Sequence, residues 1–341
     1  MIEQSPSVSV IIPVYNESEN IPLLHEHLSQ ILKEQEISYE VIFVDDGSTD
    51  DTFMQLQSLA QRDQQVGIIQ LRRNFGQTAA MAAGVDYSIG EILVFMDGDL
   101  QNDPIDIPRL LEKLEQGYDV VSGWRKDRKD ALLSRKLPSW LANRLISKMT
   151  GVSLHDYGCT LKAYRREVFQ HVHLYGEMHR FLPAYTALTG ASIAEIEVNH
   201  HPRKFGISKY GISRTIRVLL DLITLKFFES YRTRPHHAFG FPALLALLFG
   251  GFLAVEQICY GLFSRRAPDY SPFMLPLYLI GLGIQYLMQG LSAEMLTRIY
   301  YEAQGKTVYV VRNVLPANRL QIGQKGMHEP FIPLPTYQHE T

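Results

Sequence analysis

Five short runs, Val8–Ile12, Glu40–Val44, Val66–Leu71, Ile92–Met96 and Asp119–Val121, punctuate the first 125 residues, and segments with a helical pattern lie between them. That alternation constrains the fold more than any other feature. It implies βαβ units and a mainly parallel sheet, an α/β class in which each strand is followed by a crossover helix. Ile21, Leu24, Leu28, Ile31 and Leu32 form a one-face apolar stripe and read as structure alone. Asp50 is placed to cap the next helix, and Pro104 stands where the helix after the fourth strand should open.

In such sheets ligands bind beyond the carboxyl ends of the strands, and that is where the unusual residues fall. Pro13-Val14-Tyr15-Asn16-Glu17 follows the first strand, Asp45-Asp46-Gly47-Ser48-Thr49-Asp50 the second and Asp97-Gly98-Asp99-Leu100-Gln101-Asn102 the fourth. Acidic groups gathered on one rim repel unless a cation or hydrogen-bond donors are supplied, so a divalent metal is the economical explanation. Oxygen ligands with partial coordination favour Mg²⁺ or Mn²⁺, substrate phosphates completing the shell. Gly98 would allow a ligand close approach. An EF-hand is excluded, since Asn102 and Pro108 stand where its Gly and Glu belong. Neither a Gly-x-Gly-x-x-Gly after the first strand nor a P-loop is present, which argues against Rossmann dehydrogenases and P-loop enzymes.

The formal charge of −3 over 341 residues argues against a nucleic-acid partner, but it is a sum of unlike halves. Residues 1–202 carry 18 Lys and Arg against 28 Asp and Glu, while residues 203–341 carry 15 against 8. The basic half also holds two long apolar stretches: Ala238 to Phe263, interrupted by Glu256 and Gln257, and Phe273 to Ala293, which has no charge. Each is long enough to span a bilayer, and the short link between them suggests a helical hairpin. Basic residues flank both ends, so the positive-inside rule puts both ends in the cytoplasm. Ile216, Leu219, Leu220, Ile223 and Phe227 recur at helical spacing just before the hairpin and suit a helix in the membrane interface. No signal peptide is evident at Met1-Ile2-Glu3-Gln4. Cys159 and Cys259 offer no disulfide framework. The expected organisation is a catalytic domain over 1–210, a juxtamembrane helix over 211–234, two spans within 235–300 and a cytoplasmic tail over 301–341. Two spans are a small anchor, and lateral association into a homo-oligomer is compatible with it.

The three turns together resemble a glycosyltransferase of the family-two type with a GT-A fold. Asn74-Phe75-Gly76-Gln77, Asp156-Tyr157-Gly158-Cys159-Thr160-Leu161-Lys162-Ala163-Tyr164-Arg165-Arg166 and His201-Pro202-Arg203-Lys204-Phe205-Gly206-Ile207-Ser208-Lys209-Tyr210 extend the resemblance to the polyprenyl-phosphate glycosyltransferases, a group that includes dolichol-phosphate mannosyltransferase and bacterial undecaprenyl-phosphate glucosyltransferases. It covers about Val8 to Tyr301. The resemblance implies that Pro13, Tyr15, Glu17 and Asp46 hold the nucleoside of a sugar nucleotide, with Gly76, Gln77 and Gly98 on the donor side. It also implies that Asp97, Asp99 and Gln101 carry the metal on the diphosphate, and that Arg203 and Lys209 close over the donor phosphates. Arg125, Arg135 and Ser139 match positions that bind the lipid phosphate in related enzymes. Asp97, Asp99, Asp156 and Arg203 are the expected catalytic set, with a structural turn as the competing role for Asp156.

A phosphate monoester has a second pKa of about 6 and is largely a nucleophilic dianion at neutral pH. No strong general base is needed. Catalysis must instead neutralise two anionic substrates and stabilise the departing nucleoside diphosphate. The expectation is an enzyme of the bacterial inner membrane that transfers a hexose with inversion, glucose from UDP-glucose foremost, to undecaprenyl phosphate at the cytoplasmic face. Mannose, galactose and aminoarabinose are the alternatives. A processive polysaccharide synthase should carry Gln-x-x-Arg-Trp, and neither Trp124 nor Trp140 lies in that context. A non-catalytic membrane scaffold is opposed by the intact Asp97 and Asp99. By itself, the mixed-charge run Arg125 to Asp130 reads as a solvated loop, and His200-His201 without a third ligand is weak evidence of a metal site.

Overall fold

The computed structural model describes residues 6–126, 151–202 except 171 and 173, and 271–317 except 305, with positions 147, 223, 224, 227, 248, 252 and 259 besides. Eight strands form one sheet in the order β7-β5-β6-β4-β1-β2-β3-β8. These are β1 (Val8–Val14), β2 (Tyr39–Asp45), β3 (Val66–Leu71), β4 (Ile92–Phe95), β5 (Val120–Trp124), β6 (Lys162–Arg165), β7 (Ile193–Glu197) and β8 (Val311–Leu315). The four adjacent strands β4-β1-β2-β3 are mutually parallel. The sheet as a whole is mixed, because β6 runs antiparallel between β4 and β5 and β8 runs antiparallel along β3.

Helices α1 (Ile21–Glu34), α2 (Thr52–Arg62), α3 (Gln77–Tyr87) and α4 (Ile107–Glu115) connect the strands. Parallel strands covered on both faces are apolar throughout rather than alternating, and β1 shows this. Val10 and Ile12 pack with Ile21, Leu24, Leu28 and Leu32 of α1, while Ile11 faces α3 and the chain around 154–188. The four α1 residues are at most 1% exposed, and burying each contributes about 1.5–3 kcal/mol. Ile31, the fifth member of the expected stripe, is only half-buried. Asp50 Oδ1 accepts from the first helical N–H of α2, Thr52, at 3.0 Å. Pro104 opens a 3₁₀ turn that leads into α4. A short α5 (Leu182–Ala187) and a long α6 (Ser271–Gln304, 34 residues) complete the helices.

Two departures from the sequence reading concern the second half. Val311–Leu315, which the sequence offers only as tail, is the edge strand β8. Val310 O accepts from Arg72 N at 2.9 Å, Asn313 Nδ2 donates to Gln70 Oε1 at 2.6 Å, and Tyr309 Oη donates to Asp86 Oδ2 at 2.7 Å. The second apolar stretch, Phe273 to Ala293, lies inside α6. Among the described residues no helix is long and apolar enough to cross a membrane. The stretch is uncharged, but Tyr278, Gln285, Tyr286, Gln289 and Ser292 dilute its hydropathy. The first stretch, Ala238 to Phe263, lies outside the described residues apart from three positions. Of the interfacial helix, Ile223 and Phe227 are described, and Phe227 is buried.

Candidate active site at the carboxyl ends of the strands

The first two turns are sewn together. Asn16 takes the left-handed backbone (φ 56°), its N–H donates to Ser48 Oγ at 2.9 Å, and its Oδ1 accepts from Thr49 N at 2.8 Å. Glu17 N donates to Thr52 Oγ1 at 2.9 Å, and its carboxylate accepts from Asn20 Nδ2 at 2.5 Å. Pro13 and Tyr15 sit half-buried at the same rim. Asp46, expected at the nucleoside, instead grips the loop after β3: Oδ1 accepts from Phe75 N at 2.7 Å and Oδ2 from Gly76 N at 2.9 Å. Burial pushes its pKa up, and the two N–H bonds oppose the rise. Gly47 (φ 69°) completes the grip, since a Cβ there would lie 2.4 Å from the Arg73 carbonyl carbon. The neighbouring Asp45 has no role that the sequence marks. Its Oδ1 accepts from Ser48 N at 2.9 Å, while the buried Oδ2 has no partner among the described residues. An orphaned carboxylate oxygen beside these turns suits an N–H donor on a ligand.

Asp97 follows β4 after one residue, the buried Met96. Its Oδ1 accepts from Gln77 Nε2 at 2.9 Å and its Oδ2 from Thr160 Oγ1 at 2.5 Å. Gln77, which the resemblance set on the donor side, bonds Asp97, and Thr160 is a partner that sequence reasoning missed. Asp99 is buried, with Oδ1 accepting from Gln101 N at 3.1 Å. Burial raises the Asp97 pKa to about 6, the Asp99 charge adds to the rise, and the Thr160 bond opposes it. A carboxyl held up by a like charge is what a bound cation would relieve. Among the described residues no group of three or more His, Cys, Asp or Glu gathers as a complete metal shell. The residues present thus fit a divalent ion held by Asp97 and Asp99 with the remaining ligands from elsewhere. Gly98 serves a different purpose from the one expected. A Cβ there would meet Val14 Cγ1 at 2.7 Å, so the missing side chain lets the Asp97 turn pack against β1.

Arg125, just past the end of β5, is largely enclosed rather than part of a solvated loop. Nε donates to Asp156 Oδ2 at 2.7 Å and Nη2 to Oδ1 at 3.1 Å, with the two side chains 12% and 5% exposed. Asp156 also accepts from Gly158 N at 3.0 Å. Nη1 of Arg125 has no partner among the described residues, and the Asp156 carboxylate holds the guanidinium pKa above its ordinary value against the cost of burial. Lys162, a second residue missed, is fully enclosed and donates to the carbonyls of Tyr157 and Cys159. Burial lowers its pKa. A lysine on a short strand after a glycine turn has no periodic signal that marks it as buried.

His200 and His201 form no metal pair. His201 Nε2 lies 2.8 Å from Asp103 Oδ2, its N–H donates to Gln101 O at 2.9 Å, and Asn102 bridges to His200. The chain entering Arg203 is thereby laced to the Asp97 turn. Arg203 and Lys209, like Arg135 and Ser139, lie outside the described residues.

Residues 9–172 match the model of glycosyl transferase family 2. The chain is 43% identical over 319 residues to dodecaprenyl-phosphate galacturonate synthase of Rhizobium johnstonii, covering 91% of this chain and 94% of that one. The chain belongs to glycosyl transferase family 2. Within that family it is one of the polyprenyl-phosphate glycosyltransferases. It is also 36% identical to the undecaprenyl-phosphate 4-deoxy-4-formamido-L-arabinose transferase of Pseudomonas aeruginosa, over 91% of both chains. Among solved structures, glucosyl-3-phosphoglycerate synthase of Mycobacterium tuberculosis with Mn²⁺, UDP and glucosyl-3-phosphoglycerate superposes with a TM-score of 0.50 at 18% identity, covering 66% of this chain and 80% of that one. At that identity the likeness concerns the GT-A fold alone, and the mixed sheet agrees with it.

Proposed function

We propose that this family 2 enzyme transfers a hexuronic acid, galacturonate foremost, from its UDP derivative to undecaprenyl or a similar polyprenyl phosphate at the cytoplasmic face of the membrane. The observation that carries the transfer reading is Asp97, a carboxylate raised by burial and by Asp99 and met by Gln77 and Thr160, at the carboxyl end of a central parallel strand. Glucose, the sugar the sequence favoured, gives way because the relatives name galacturonate and 4-deoxy-4-formamido-L-arabinose, the former at the higher identity.

A phosphate oxygen of the lipid attacks C1 of the sugar, and the C1–O bond to the diphosphate breaks with its electron pair, inverting the anomeric centre. The acceptor is already a dianion near neutral pH, so no side chain need remove a proton. Mg²⁺ or Mn²⁺ at Asp97 and Asp99 would supply Lewis-acid stabilisation of the leaving diphosphate. Asp46 and Gly47 hold the 73–77 loop, which presents Gln77. Arg125, fixed by Asp156, offers Nη1 to the acceptor phosphate, with Arg135 and Ser139. Arg203 and Lys209 close over the donor. The basic second half, with the expected interfacial helix over 211–234 and the apolar stretches within 235–300, would hold the chain at the membrane and bring the lipid phosphate to this rim.

The test is a transfer assay on the full chain in detergent with Mn²⁺ and undecaprenyl phosphate, across UDP-galacturonate, UDP-galactose, UDP-glucose and the UDP-formamidoarabinose donor. Expected is lipid-dependent release of UDP that is fastest from UDP-galacturonate. Release that ignores the lipid phosphate overturns the transfer reading, and preference for a neutral sugar overturns the uronate.

A further inference from the structure

Thr160, which bonds Asp97, also lines a recess of about 280 Å³, counting its open mouth. The transfer chemistry leaves the recess unused. Its basic walls are Lys162 from β6 and His179 and Arg180 from the 3₁₀ turn Met178–Arg180. Thr78 Oγ1, 2.8 Å from His179 Nδ1, fixes the imidazole. Tyr164 also lines this recess, and its Oη is buried with no hydrogen-bond partner among the described residues. Arg180, half-buried as a residue, likewise has no hydrogen-bond or ion-pair partner among them. No carboxylate is among the lining residues; Glu177, 4.0 Å from His179, is exposed and stands outside them.

A buried donor without an acceptor, as Tyr164 Oη is, costs free energy unless a ligand supplies one, and a half-buried guanidinium beside it attracts an anion. Here a guanidinium and a phenol are both in surplus beside a buried ammonium, so the missing group is small, anionic and rich in acceptor oxygens. A carboxylate meets all three demands and pairs with a guanidinium fork in two parallel bonds. Through Thr160 the recess adjoins Asp97, near which the donor's sugar must stand for its C1 to be attacked. The geometry points to this recess as the reader of the sugar's C6 carboxylate, with Arg180 and Tyr164 as specificity-determining residues. The inference rests on the uronate reading above and adds the residues that enforce it.

The test compares kcat/KM for UDP-galacturonate and UDP-galactose, which differ only at C6, using the full chain with Mn²⁺ and undecaprenyl phosphate. Wild type should favour the uronate by about 100-fold or more, since a site built to bind a polar group rejects the analogue lacking it. Arg180→Gln should cut that ratio by roughly 10- to 100-fold, the size of a lost charge-assisted hydrogen bond, and Arg180→Lys should keep more of it. Tyr164→Phe removes one oxygen from a buried ring and should cut the ratio by about fivefold, a readout independent of how well the Arg180 variants fold. If wild type favours the uronate and both Arg180→Gln and Tyr164→Phe leave the ratio unchanged, the recess is not the reader and the function stands. If wild type favours a neutral sugar, the reading beneath fails and this role fails with it.

Discussion

Asp156 was the one expected catalytic residue with an equal structural claim, and Asp156→Ala separates the two. Its carboxylate accepts from Nε and Nη2 of Arg125, from the Arg125 backbone N–H at 3.4 Å and from Gly158 N. The alanine strands a guanidinium that is 12% exposed, and removing one partner of a buried pair costs roughly 3–5 kcal/mol. At about 2–4 °C per kcal/mol for a domain of this size, thermal unfolding of the detergent-solubilised chain should fall by about 6–20 °C. The double variant Arg125→Met, Asp156→Leu replaces both charges by apolar groups and should recover most of that loss. Transfer should stay absent in it, because the group offered to the acceptor phosphate is gone. A drop of less than about 3 °C for Asp156→Ala with transfer abolished would refute the structural argument. Asp156 would then act on the substrates directly.

Three further outcomes follow from the same contacts. Gly98→Ala sets a methyl 2.7 Å from Val14 Cγ1 and should cost about 1–3 kcal/mol in denaturant unfolding; the companion Val14→Ala should relieve part of it, and no relief would locate the strain elsewhere. Mn²⁺ binding should weaken as pH falls below about 6, because Asp97 must lose its proton to ligate, and Thr160→Val, removing the bond that lowers that pKa, should move the break upward in a calorimetric titration. Glu40 is buried and its pKa is raised by burial, against bonds from Ile89 N and Ser9 Oγ. A carboxyl whose folded pKa is raised contributes less stability as pH climbs past its ordinary range, so the advantage of Glu40→Gln over wild type should grow as pH is raised above that range. A difference in unfolding temperature that is flat with pH would refute it.

What the sequence made legible is what repeats or what stands at a strand's end. The first five strands were visible because a parallel strand buried on both faces is an apolar run, and Asp97 was visible because an acid directly after such a run has few structural reasons to be there. β8 was not, since Val311-Arg312-Asn313-Val314-Leu315 is an edge strand whose apolar run is broken by Arg312 and Asn313 and of which no residue is fully buried. Side-chain partners were illegible for a different reason. Asp46 and Gly98 carry motif positions, yet one grips backbone at 75–76 and the other vacates space for Val14, and neither use leaves a mark in spacing. Thr160 and Gln77 meet at Asp97 from 63 and 20 residues away. The recess is the extreme case, because Tyr164 reads as a core aromatic and Arg180 as a surface charge until the fold sets both on one wall. A motif therefore locates chemistry where the topology forces ligands to go, while the residues that choose among ligands are set by tertiary contacts. The reaction class could be read from the turns, and the sugar could not.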